Sequence, residues 1–220
     1  MKFDAGVSTA DRRKIIEALQ DIKHYGTNRQ GATARFIEES LITIYVGLAK
    51  NVRGSGSVGF TNLWRAQWAI LRGEFSPVEA AKFVRLSIAR ETIDTGKQRG
   101  IEGTLVHEGK HALDFARMLA SFSGNGDNSR VFNPTLFQVE YSAHLTAAFY
   151  LKRRGGEFAR EGVELGILSE DIGKFCVSRD GIRERLRNNY GLTPKIPGRH
   201  LNMMAFPPVM PRNVKFWGFK

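Results

Sequence analysis

Residues 101–122, Ile101-Glu-Gly-Thr-Leu-Val-His-Glu-Gly-Lys-His-Ala-Leu-Asp-Phe-Ala-Arg-Met-Leu-Ala-Ser-Phe122, decide the fold. Leu105, Ala112, Ala116 and Leu119 or Ala120 recur every three or four positions, which is the spacing of a helix with one apolar face. Within it, His107-Glu108-Gly109-Lys110-His111 forms an H-E-x-x-H pattern. Two histidines four apart leave the same helical face one turn from each other, so both imidazoles can reach one ion at about 2.0–2.1 Å. Glu108 cannot fill that role from its position; it is placed to hold and deprotonate a metal-bound water as general base. The apolar neighbours Leu105, Val106, Ala112 and Leu113 predict a largely buried segment, and buried imidazoles need partners.

Toward the C-terminus, Ser123 to Ser129 is dense in turn residues, and Asn133-Pro134 starts a second helix expected from Thr135 to about Arg153. The two helices form an αα-hairpin. Its return leg carries Glu140, 29 residues after His111, at a separation that brings a carboxylate back to the histidines. Ala143 and Ala147 on the same face let the helices approach closely. A carboxylate surrounded by Leu136, Val139, Ala143 and Ala147 is costly to bury alone, and metal ligation is the simplest compensation. His107, His111 and Glu140 are therefore the expected ligands of one Zn2+ per chain. The single cysteine, Cys176, excludes both an internal disulfide framework and a multi-cysteine zinc site, which leaves histidine and carboxylate as ligands.

The segment Thr104-Leu-Val-His-Glu-Gly-Lys-His-Ala-Leu-Asp114, followed by Glu140-Tyr-Ser-Ala-His-Leu-Thr-Ala-Ala-Phe149, resembles the gluzincin metallopeptidases. The likeness is nearest to the anthrax lethal factor type, with its His-Ala-aliphatic-Asp ending and Glu-x-x-Ala ligand helix. It covers about 50 of the 220 residues. The resemblance implies an α+β, zincin-like fold, with a small mixed sheet packed on the metal-binding αα-hairpin and a helix-rich C-terminal half. It also implies zinc bound by His107, His111 and Glu140, Glu108 as base, and a peptide or protein as substrate. A toxin or effector protease is the corresponding biological setting. Lys110 departs from the family pattern, where that position is normally uncharged, and must either snorkel to solvent or pair with an acid.

Three further residues belong to the candidate site. Asp114, three positions after His111, could accept the second N–H of a ligand imidazole, or could serve as a rival third ligand. His144, one turn past Glu140, could donate to a developing oxyanion or orient Glu140. Tyr141 is assigned the same kind of role. Each also has a plain reading as an ordinary interfacial side chain.

Upstream, Ile15, Ile16, Leu19 and Ile22 lie on one stripe of a helix over 10–24. Residues 41–46 and 83–88 read as strands of a small sheet, and the second is expected to align an extended peptide if it lies at the sheet edge. Asn62 to Leu71 reads as a short helix whose Trp64 and Trp68 are expected in the core. Gly54-Ser-Gly-Ser-Val-Gly59 matches G-x-G-x-x-G, but the preceding strand ends too early and no acidic residue follows a second strand, so a flexible hairpin or loop is expected. Downstream, a weaker helix runs from Asp180 to about Asn189. The expected organisation is one domain over 1–190 with an extended, basic tail over 191–220 that is rich in proline and aromatics and packs on it.

The hydrophobic share of 42% together with 15 Phe excludes a disordered chain. Thirty-three Lys and Arg against 22 Asp and Glu give a net charge of +11, scattered through most of the sequence, which reads as a solvated basic surface. The alternative function drawn from this charge is a nucleic-acid or polyanion-binding module using the surface and the tail from Arg199 to Lys220, where basic and aromatic residues interleave. No run of 18 apolar residues spans a bilayer and no signal-peptide core follows Met1. The expected location is cytoplasmic or reached by a specialised export route.

Overall fold

A computed structural model describes residues 1–52, 54–70, 72–73, 75–94, 98–122 and 132–205. Strand β1 (Lys2–Phe3) leads into helices α1 (Thr9–Tyr25) and α2 (Asn28–Glu39), followed by β2 (Thr43–Gly47) and the short α3 (Ala49–Val52). Strand β3 (Gly56–Phe60), α4 (Leu63–Ile70), α5 (Pro77–Ala80), β4 (Val84–Ala89) and α6 (Arg90–Asp94) complete the first half. The hairpin helices α7 (Gln98–Ser121) and α8 (Leu136–Arg154) come next. After them stand α9 (Gly156–Glu164), the two-stranded β5 (Leu168–Asp171) and β6 (Lys174–Val177), α10 (Arg179–Tyr190) and the short α11 (Asn202–Ala205). The architecture is mixed α+β and predominantly helical.

The main sheet has the order β1-β2-β4-β3. β1, β2 and β4 run parallel, and β3 pairs antiparallel with β4, Gly56 opposite Ile88 and Phe60 opposite Val84. Buried Ile44, Val46, Val84, Leu86 and Ile88 supply its core positions. Helix α7 packs beneath β3 and β4 and is flanked by α1, α2 and α8. Its buried Leu105, Val106, Met118 and Leu119 join that core, and full burial of each such side chain contributes about 1.5–3 kcal/mol.

The hairpin partners run antiparallel, because early α7 meets late α8. Glu102 accepts two hydrogen bonds from the Arg154 guanidinium, at 3.0 and 3.2 Å, and one from the Tyr150 hydroxyl. The guanidinium lies over the rings of Tyr25 and Phe158, 3.8 and 4.3 Å from their centroids. Glu102 and Tyr150 are fully buried, and this bidentate pairing satisfies a carboxylate that would otherwise be expensive inside the protein. α8 begins on a capping box: Thr135 Oγ1 accepts from the Gln138 amide while Gln138 Oε1 accepts from the Thr135 amide.

Several expectations change. β4 is central, not an edge, because both its neighbours β2 and β3 are paired to it; the edge strands are β1 and β3. The glycine-rich segment, expected as a flexible hairpin or loop, is in part β3, paired with β4. Trp64 and Trp68 are 55% and 38% exposed and pack edge-to-face on each other, with Arg72 over Trp68, so they are not core. Ile15, Leu19 and Ile22 are buried as the helical stripe requires, whereas Ile16 sits at its exposed margin. Helices α2 and α9 and the β5–β6 hairpin were not anticipated. From the expected tail, residues 191–205 fold back on the start of α8: Leu136 N donates to Arg199 O, Phe137 N to Pro197 O, and His200 bridges to Thr135. The turn at 123–129 and the basic aromatic end at 206–220 lie outside the described residues. Among the described residues, no helix is long and apolar enough to cross a membrane.

Candidate metal centre

One turn apart on α7, His107 and His111 hold their Nε2 atoms 3.0 Å from each other. From α8, Glu140 sets Oε2 at 3.7 Å from His107 Nε2 and 3.4 Å from His111 Nε2. Tetrahedral donors at about 2.0–2.1 Å from one ion stand about 3.3–3.4 Å apart, and the three separations bracket that spacing. Glu140 Oε2 is buried and makes no hydrogen bond, an orphaned carboxylate oxygen aimed at two imidazoles. The donor set and its spacing therefore fit a zinc ion.

The helix packing explains why these side chains converge. A Cβ on Gly109 would lie 2.7 Å from both Ile37 Cδ1 and Thr33 Cγ2 of α2, so glycine at this position lets α7 press against α2. Ala143 and Ala147 are buried on the α8 face that approaches α7. Lys110 does not snorkel. It is buried and forms an ion pair with Asp114 one turn on, and burial lowers its pKa while Asp114 opposes the shift.

Asp114 is thus committed to Lys110 through Oδ2, while Oδ1 is buried without a hydrogen bond. Its use as a rival third ligand is replaced by that pairing, because the carboxylate at the imidazoles is that of Glu140. Tyr141 also differs from expectation: it stacks on Phe137 at 5.8 Å between ring centroids, under Arg183, and does not line the cleft. The tyrosine that does is Tyr190, in the last turn of α10, which Gly191 closes in a left-handed conformation at φ 67°. Sequence reasoning missed it because a tyrosine 50 residues beyond Glu140 has no ligand spacing; only the docking of α10 on α8 brings it in.

The cleft encloses about 210 Å³. Gly56, Ser57 and Val58 of β3 form one wall, His107, Glu108 and His111 the floor, and Val139, Glu140 and Tyr190 the other side. Glu108 lies directly under the edge strand. Burial pushes its carboxyl up to about 7, with Glu140 adding to the rise and His111 opposing it. Burial also drives His107 well below the usual histidine range, helped by His111, His144 and Arg185. For His111 burial acts in the same sense, but the Glu140 carboxylate outweighs it and the imidazole is held above its ordinary value. Burial would raise Glu140, yet His111 holds it below the usual carboxylate range.

His144 does not line the cleft. Its ring stands 4.4 Å from that of His107, centroid to centroid, and burial lowers its pKa to about 4 with Arg185 adding to the fall. Comparison of the chain with protein families, with curated proteins and with solved structures finds no significant match.

Proposed function

We propose that the protein is a zinc-dependent metallopeptidase of zincin-like architecture, with His107, His111 and Glu140 as metal ligands and Glu108 as general base. The observation that carries the reading is the triangle of two Nε2 atoms and one orphaned Oε2, with sides of 3.0, 3.4 and 3.7 Å, beside a buried fourth side chain that carries a proton-accepting carboxylate. The resemblance of the two helices to the gluzincins agrees with it.

His107, His111 and Glu140 would hold the zinc, which when bound would supply a Lewis acid for the scissile carbonyl and make attacking water more acidic. Glu108, under the β3 edge, takes the proton from the water and returns it to the leaving amine. The Tyr190 hydroxyl, across the cleft, donates to the carbonyl oxygen as negative charge develops there. An extended peptide adds to the unpaired edge of β3, whose main-chain groups fix its register.

Glu108→Gln tests the reading. The variant should keep its zinc and lose about 10²- to 10⁴-fold in hydrolysis of an unstructured protein substrate such as casein, the usual contribution of a general base. Full hydrolysis by the variant would refute the mechanism.

A further inference from the structure

Resting on the metal site proposed above, we infer that His144 is a fourth protein ligand, so that three imidazoles and one carboxylate hold the ion. His144 sits one helical turn after Glu140, on the same face of α8. A ring nitrogen of His144, one of His107 and a carboxylate oxygen of Glu140 all lie within 4.8 Å of one another. This second trio shares two members with the triangle of His107, His111 and Glu140, and its donors are of the classes that suit zinc.

The state of His144 is otherwise unexplained. It is only 7% exposed and Nε2 is buried with no hydrogen bond. A buried polar atom without a partner in a packed interior calls for an explanation, and an ion shared with its neighbours provides one. The two roles expected from sequence fit less well. His144 is absent from the cleft wall, where a donor to a carbonyl oxygen has to be, and Tyr190 occupies that place. Its Nε2 forms no hydrogen bond that would orient Glu140.

Catalytic zinc sites generally use three protein ligands and leave a position open. With His144 added, four protein side chains would hold the ion, and it would be bound more tightly than by a three-ligand site. Loss of a residue that merely orients a ligand typically weakens metal affinity about 10–100-fold, so removal of a ligand should cost at least that.

Two-bond ¹H–¹⁵N spectra of the imidazoles test this directly, because the chain has only 5 histidines. Zinc added to metal-free wild-type protein should move the ring-nitrogen signals of His107, His111 and His144 and leave those of His24 and His200 in place. His144→Ala should show two moved imidazoles and at least about 10-fold weaker zinc binding in competition with a chromophoric chelator, with a cooperative melting transition retained when metal-free. Wild-type spectra in which His107 and His111 alone respond, with zinc affinity unchanged in His144→Ala, overturn the inference and leave the three-ligand peptidase reading standing. Three responding imidazoles in a protein that cleaves no peptide remove the peptidase reading and keep the ligand set. A wild type that binds no zinc removes both.

Discussion

Gly56 of the edge strand rests directly on Glu108: a Cβ at position 56 would lie 2.6 Å from Glu108 Cγ and 2.7 Å from Thr104 Cγ2. The strand wall and the basic carboxylate therefore occupy adjoining space, and a methyl group there has to displace one of them. Gly56→Ala should retain about one zinc per chain, because the ligands are elsewhere, and lose about 100-fold in hydrolysis, the scale of a displacement of about 1 Å at a reacting group. Rates and zinc content measured on the same preparation check it. Unchanged hydrolysis would mean that the position of Glu108 under β3 does not matter.

Tyr190 faces the same cleft from the opposite side, held in the last turn of α10. Tyr190→Phe removes the hydroxyl and keeps the ring. Loss of one oxyanion donor is typically worth about 10²–10³-fold in kcat, and steady-state kinetics should show a fall in kcat at about constant KM. Tyr141→Phe, altered in a ring that stacks on Phe137 outside the cleft, should stay near wild type.

Lys110 and Asp114 form a buried ion pair on α7. Removing one partner strands the other charge inside the protein, so Lys110→Met should destabilise the fold by about 3–5 kcal/mol in denaturant unfolding. Replacing both with apolar residues of similar volume, Lys110→Met with Asp114→Leu, removes the stranded charge and should recover most of that loss. A double variant no more stable than the single one would assign Asp114 a role beyond the pair.

How legible the site was in the sequence follows from how local each signal is. His107, Glu108 and His111 share one helix, where a four-residue spacing alone sets their geometry. Glu140 was legible because it lies on the next helix of the chain, and the small residues on its face marked the approach. The two hairpin helices and the positions of β2 and β4 followed from the pattern of apolar and β-branched residues. The edge strand did not, since Gly56-Ser-Val-Gly-Phe60 has neither the alternation nor the β-branched density of a strand and is held by pairing with β4. Tyr190 was missed because helix docking decides it, whereas pairing with an acid was one of the two alternatives open for Lys110, and side-chain direction selects Asp114. Trp64 and Trp68 were misjudged because large apolar side chains at helical spacing look alike whether the stripe faces inward or outward.

The central claim is that the side chains of α7 and α8 hold a metal, and metal analysis of protein purified without added metal tests it most directly. About one zinc per chain is predicted, lost in His107→Ala and His111→Ala and reduced in Glu140→Ala, with Glu108→Gln retaining it. A folded wild-type protein carrying no metal and taking up none on addition of zinc would contradict the account.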